Sequence, residues 1–158
     1  MDKSLDLFIK LVRESTRFVN RDFFELRTMQ SSGKNTRQFA EKTCQKMLEC
    51  YNESMTKYFP DLIFTVEDLQ TKQIDKEAIL INILDGFDNL TKSLPYFASV
   101  ATKLEKKGQN ILPKQSVMVM HGINKIFYAI SGTGAWAEDL YGHVEARRLR
   151  VAGYNAKN

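Results

Sequence analysis

The chain has 158 residues, 43% hydrophobic and 11% aromatic, enough apolar surface for one domain with a real core and too much for wholesale disorder. Lys and Arg total 23 against 19 Asp and Glu, a net charge of +4 scattered along the chain, so nucleic acid is not expected as a partner. No apolar run approaches the length that crosses a membrane, and the opening Met1-Asp2-Lys3-Ser4-Leu5 lacks the apolar core and small-residue cleavage site of a signal peptide, so the expectation is a cytoplasmic protein with no membrane contact.

The first predicted element is a helix near residues 4–28, with apolar residues at Leu5, Phe8, Val12, Val19, Phe23 and Leu26 in steps of three, four and seven. Ser31-Ser32-Gly33 ends it. A second helix is predicted over residues 36–58, striped by Ala40, Thr43, Met47, Tyr51, Met55 and Tyr58 and stopped by Pro60, which lacks an amide hydrogen. Cys44 and Cys50 fall on this helix six residues apart, so they point different ways and form neither a disulfide nor a local metal pair, as suits a reducing compartment.

Beyond Pro60 the pattern turns β-rich. Short strands are predicted at residues 62–66 and 78–81, with the polar residues 67–76 as a loop between them and Gly86 breaking the chain soon after. A third strand is predicted over Phe97 to Leu104, followed by a turn at Lys106 to Asn110. Val117 to His121 and Lys125 to Ile130 flank Gly122-Ile123-Asn124 as a hairpin, Ser131 to Gly134 form another turn, and Ala146 to Val151 form a last strand whose Arg147, Arg148 and Arg150 read as a charged sheet edge. The fold class expected is α+β, with two helices packed on one face of a mostly antiparallel sheet. The expected domain runs over residues 1–152, with 153–158 as a frayed polar tail.

Three stretches, in order, carry a resemblance to a known family. Tyr58-Phe59-Pro60-Asp61-Leu62-Ile63-Phe64-Thr65-Val66-Glu67-Asp68 looks like an aromatic-proline turn, a strand and a Gly-Glu-Glu motif. Ile79 to Leu90, containing Asn82-Ile83-Leu84-Asp85-Gly86-Phe87-Asp88, is followed by Leu94-Pro95-Tyr96-Phe97-Ala98-Ser99-Val100; together they are similar to Asp-Pro-Ile-Asp-Gly-Thr-x-Asn-Phe followed by Pro-x-Phe-Ala-Val-Ser. Lys125-Ile126-Phe127-Tyr128-Ala129 with Gly132-Thr133-Gly134-Ala135-Trp136 resembles Glu-Leu-Phe-Thr-Ala followed by Gly-x-Gly-Ala. The sequence thus resembles the inositol monophosphatase family, over nearly the whole chain and over only the first part of a usual member.

The resemblance implies a magnesium-dependent phosphatase fold in which carboxylates hold metal ions that activate a water and neutralise phosphate charge. Carried over position by position, it makes Glu67, Asp85 and the backbone carbonyl of Leu84 metal ligands, and it places Gly86 and Phe87 at the substrate. Asn82 stands where the first Asp of the motif is expected, and Ile83 replaces its Pro. Asp88 stands where a Thr would orient the attacking water, and Cys44 where an Asp would support that Thr. The family's remaining Asp ligand and its Trp-Asp motif lie beyond the resemblance; Trp136 belongs to the Gly-x-Gly-Ala turn. The implied protein is a truncated, catalytically impaired family form that acts in binding or as a remnant, with Mg2+ weakly held or absent. The alternative is a working Mg2+-dependent hydrolase of inositol or sugar phosphate monoesters. A phosphate ester is the implied ligand, and a homodimer or hetero-complex the implied assembly.

Other candidates are assigned plainer roles. Lys34 lies near a family active-site Lys and reads as a solvated loop residue. His121 reads as a strand-end histidine, and His143, with Glu138 and Asp139 near it in sequence, as a turn residue rather than a metal ligand.

Overall fold

The computed structural model describes residues 3–31, 35–66, 75–142 and 145–151. The expected first helix is present as two: α1 (Lys3–Thr16) and α2 (Val19–Ser31), separated by a turn at Arg17 and Phe18. The break has a local cause. Ser15 Oγ donates to the Leu11 carbonyl and Thr16 Oγ1 to the Val12 carbonyl, both at 2.8 Å, a back-bonding that bends helices. The apolar stripe nonetheless faces inward throughout, with Leu5, Phe8, Val12, Val19, Phe23 and Leu26 all buried. Helix α3 (Thr36–Tyr58) matches its expected bounds. Asn35 caps it by accepting a hydrogen bond from the Gln38 amide at 3.0 Å, and the Phe59 amide closes it on the Met55 carbonyl at 2.9 Å just before Pro60.

The strands β1 (Ile63–Thr65), β2 (Ala78–Asp85), β3 (Ala98–Lys107), β4 (Asn110–Met120), β5 (Lys125–Ile130), β6 (Gly134–Asp139) and β7 (Arg147–Arg148) form one sheet in sequence order. The β1–β2 pair is parallel and every other pair antiparallel. Several expectations are corrected in extent. The strand expected at 78–81 runs on to Asp85, the one expected over 97–104 runs over 98–107, the one expected over 117–121 begins at Asn110, and the last, expected over 146–151, pairs only at Arg147 and Arg148, while β6 has no counterpart among the expected strands. Most of the expected loop, residues 67–74, and the expected tail lie outside the described residues.

Alternation along the strands separates the two faces. Ile79, Ile81, Ala101, Val117, Val119, Ile126 and Tyr128 form one buried core with Leu5, Phe8, Ile9, Leu11 and Val12 of α1 and Tyr51 and Met55 of α3. The helices therefore lie on one face of the sheet, as expected. A second core joins Val19, Phe23 and Leu26 of α2 to Ala40 and Met47 of α3, Leu90 and Phe97, with Ile83, Leu84 and Phe87 packed against it. This second core is the floor beneath the end of β2, where the sequence motif lies.

Candidate functional site

Strand β2 does not reach its end in regular register. Asn82 pairs with Val100 and Asp85 with Ala98, so Ile83 and Leu84 both oppose Ser99, as in a β-bulge. The bulge gathers the motif at the sheet's end. Asn82 and Asp85 are exposed, while Ile83 and Leu84 are half-buried and pack on the second core. The chain then turns through Gly86 at φ 84° and enters the short helix α4 (Phe87–Thr91). Glycine is required there twice over: the backbone is left-handed, and a Cβ would come within 2.6 Å of the Tyr96 carbonyl oxygen. That same carbonyl accepts a hydrogen bond from the Asn89 side-chain amide at 2.7 Å, which fastens α4 to the segment leading into β3.

Asp88 sits in the first turn of α4 with its side chain 78% exposed, 3.8 Å from Nη1 of Arg37 at the start of α3. The Arg37 guanidinium also lies 5.2 Å from the centre of the Phe87 ring. Arg37 was not singled out from the sequence; nothing in its local pattern marks a contact that forms between α3 and α4. Cys44 is half-buried on α3, and burial, with Glu41 adding to it, pushes its thiol up to about 11. The group at this position is therefore a neutral thiol at physiological pH, where the family resemblance places a supporting carboxylate.

Beneath the bulge is a pair of buried polar residues. Ser99 Oγ donates to the Ile83 carbonyl at 2.8 Å and lies 2.8 Å from His121 Nε2. His121 begins the 3-10 turn (His121–Ile123) after β4 and stacks on Phe97, ring centres 5.8 Å apart. Burial holds its pKa down to about 3, so the ring is neutral. His121 thus stands at a strand end, as expected, but at 1% exposure it is a core residue. Its contact with Ser99 was legible only through register: Ala98 pairs with Met120, which sets His121 opposite Phe97.

Glu67, Lys34 and His143 lie outside the described residues. Of the remaining candidates, Asn82, Leu84, Asp85, Gly86, Phe87 and Asp88 come together as one continuous bulge, turn and helix start, while Cys44 lies on a different element, α3. Among the described residues no three His, Cys, Asp or Glu side chains are grouped as a metal ion requires. Asn82 adds only a neutral amide beside the carboxylate of Asp85, and Mg2+ favours anionic oxygens in octahedral array. The described residues therefore do not fit a carboxylate-bridged pair of magnesium ions.

No family model matches the chain. It is 25% identical over 151 residues to an inositol-1-monophosphatase of Mesorhizobium japonicum, covering 94% of this chain and 53% of that protein. It is 26% identical over 151 residues to the Nus factor SuhB of Pasteurella multocida, covering 94% and 55%. Among solved structures, the extragenic suppressor protein SuhB of Bartonella henselae superposes with a TM-score of 0.70 at 18% identity, covering 96% of this chain and 54% of that one. The chain spans about half the length of the curated relatives it matches.

Proposed function

Since this chain belongs to the inositol monophosphatase family over the stretch it spans, we propose that it is a catalytically impaired form of that fold, acting by binding a phosphate ester or a protein partner rather than by turnover. Asn82 carries this reading. It places a neutral amide on the bulge where a bridging carboxylate would hold two cations, and one lost bridge weakens both. The neutral thiol of Cys44 supports it, as does the Arg37 guanidinium drawn to Asp88. A single weakly held, hydrated Mg2+ at Asp85 and the Leu84 carbonyl is compatible with these donors. The partly exposed apolar face of the sheet opposite the helices supports assembly as a homodimer or hetero-complex.

The alternative is a Mg2+-dependent hydrolase of inositol or sugar phosphate monoesters, and the intact Asp85-Gly86-Phe87 turn favours it. Phosphate release from inositol 1-phosphate with Mg2+, with and without Li+, separates the two. The impaired form releases phosphate at the background rate in both conditions. Sustained lithium-sensitive release by the chain alone establishes the enzyme.

A further inference from the structure

The bulge that carries Asn82, Leu84 and Asp85 sets two residues of β2 against one of β3. On β2 the residues Ile83 and Leu84 face the single residue Ser99, so the strand pairing cannot serve both. The Ile83 carbonyl is taken by Ser99 Oγ at 2.8 Å. A serine hydroxyl has one hydrogen. With that hydrogen given to Ile83, the 2.8 Å contact between Ser99 Oγ and His121 Nε2 requires His121 to donate. The ring is then the Nε2–H tautomer, and Nδ1 is a bare acceptor. That fits its surroundings, since Nδ1 is buried with no hydrogen-bond partner. The opposite tautomer would bury an unpaired N–H there. Ser99 is 0% exposed and His121 1%, so water does not substitute for either bond.

We propose that Ser99 and His121 are positioning residues: a buried relay, His121 Nε2–H to Ser99 Oγ to the Ile83 carbonyl, that sets the bulge and so the placement of the Asn82, Leu84 and Asp85 donors. The relay reaches the site from below. Its members lie on β3 and on the turn after β4, and the Phe97 ring holds the imidazole by stacking. Without the relay, the half-buried Ile83 carbonyl loses its hydrogen bond from Ser99 Oγ, and the two-against-one pairing loses a contact that favours it over a slipped register. The functional part of this inference rests on the proposed cation and phosphate-ester reading; the structural part does not.

The test uses the full chain and has two arms. The first needs no ligand. Long-range 15N correlation spectra of the wild type report the His121 tautomer directly, and Nε2–H is expected. Ser99→Ala is expected to speed amide exchange at residues 83–86 by about tenfold over the change at Ile79 to Ile81, as for one lost buried hydrogen bond. Ser99→Thr keeps the hydroxyl and is expected to restore protection, and His121→Phe, which keeps the stack and loses the donor, to reproduce the Ser99→Ala pattern. An Nδ1–H tautomer, or unchanged protection at 83–86 in Ser99→Ala, overturns the relay. Should Ser99→Ala not fold, the wild-type tautomer and the His121→Phe exchange pattern decide. The second arm uses Mn2+ as probe and follows paramagnetic broadening at Asp85 and Gly86. Wild-type broadening that Ser99→Ala reduces supports the positioning role, and equal broadening in both refutes it. No broadening in the wild type refutes the cation reading, while the first arm still decides the relay.

Discussion

An amide at position 82 presents one neutral oxygen where a carboxylate presents two that share a negative charge, and that difference can be tested by restoring the acid. Asn82 is exposed at the bulge, so Asn82→Asp buries no charge. The double variant Asn82→Asp with Asp88→Thr also removes the carboxylate that Arg37 faces. It should bind Mg2+ more tightly by titration calorimetry, yet release phosphate near background, because the Cys44 thiol still stands in place of an acid and one misplaced group costs about two to three powers of ten in rate. Robust Mg2+-dependent release by the double variant would sink the impaired-form reading. His121 makes a second prediction, in pH. Its pKa is about 3 in the fold against an ordinary 6.5, so the native state binds fewer protons than the unfolded chain between those values. The stability is whole above about pH 6.5 and falls as pH drops toward 3, by at most ~1.4 kcal/mol per pH unit. Urea melts at about pH 7 and about pH 5 should show a steeper loss in the wild type than in His121→Phe, which is less stable at neutral pH but lacks this titration.

Elements meet through a few buried polar contacts as well as through apolar stripes. Asp22 of α2 is 3% exposed and accepts from Thr43 Oγ1 of α3 at 2.8 Å, with Lys46 Nζ at 3.9 Å. Thr43→Val keeps the shape and leaves the buried carboxylate short of a donor, so it should cost about 1–3 kcal/mol, read as a lower urea midpoint with an unchanged slope. A loss below the error of the melt would show that Lys46 and Arg21, whose Nη2 lies 3.5 Å from Asp22 Oδ1, satisfy the carboxylate without Thr43. Gly86→Ala should cost at least ~1–2 kcal/mol, since its backbone is left-handed and its Cβ would strike the Tyr96 carbonyl. These contacts also mark how far the sequence could be read. The α3 stripe, its Pro60 stop and the turn order were legible because period and breakers are local signals. The α1–α2 break was not, because the seven-residue step from Val12 to Val19 continues a helical stripe and the bend comes from Ser15 and Thr16 hydroxyls turned onto their own backbone. Within the site, Asn82 to Asp88 stood out as a contiguous motif. Arg37 did not, nor did the contact of Ser99 with His121, because these depend on how α3 meets α4 and on strand register.

At the scale of the whole molecule the sheet has two unequal faces. The helices cover the one bearing Ile81, Ala101, Val117 and Tyr128. In the neighbouring register, Asn82, Val100, Met118, Phe127 and Ala137 lie side by side across β2 to β6 on the other face. Val100, Met118 and Phe127 there are only partly buried. Apolar side chains running across the middle of a sheet favour a covering surface, because each one removed from water contributes roughly 25 cal/mol per Å2 of area. The sheet's β7 edge works against association: it is two residues long, and Arg147 and Arg148 are both exposed, charges that oppose edge-to-edge pairing. Association should therefore run through the face and not through that edge. Met118→Glu with Phe127→Glu places two like charges in adjacent register on that face, where burial against a second surface would be costly. The wild type should sediment as a dimer at micromolar concentration, and the double variant as a monomer with the same far-ultraviolet dichroism. Exchanging Arg147 and Arg148 for Ser should leave the wild-type association unchanged. A wild-type chain that sediments as a monomer across that range would refute self-association through this face, and a dimer that survives the double Glu variant would place the contact elsewhere.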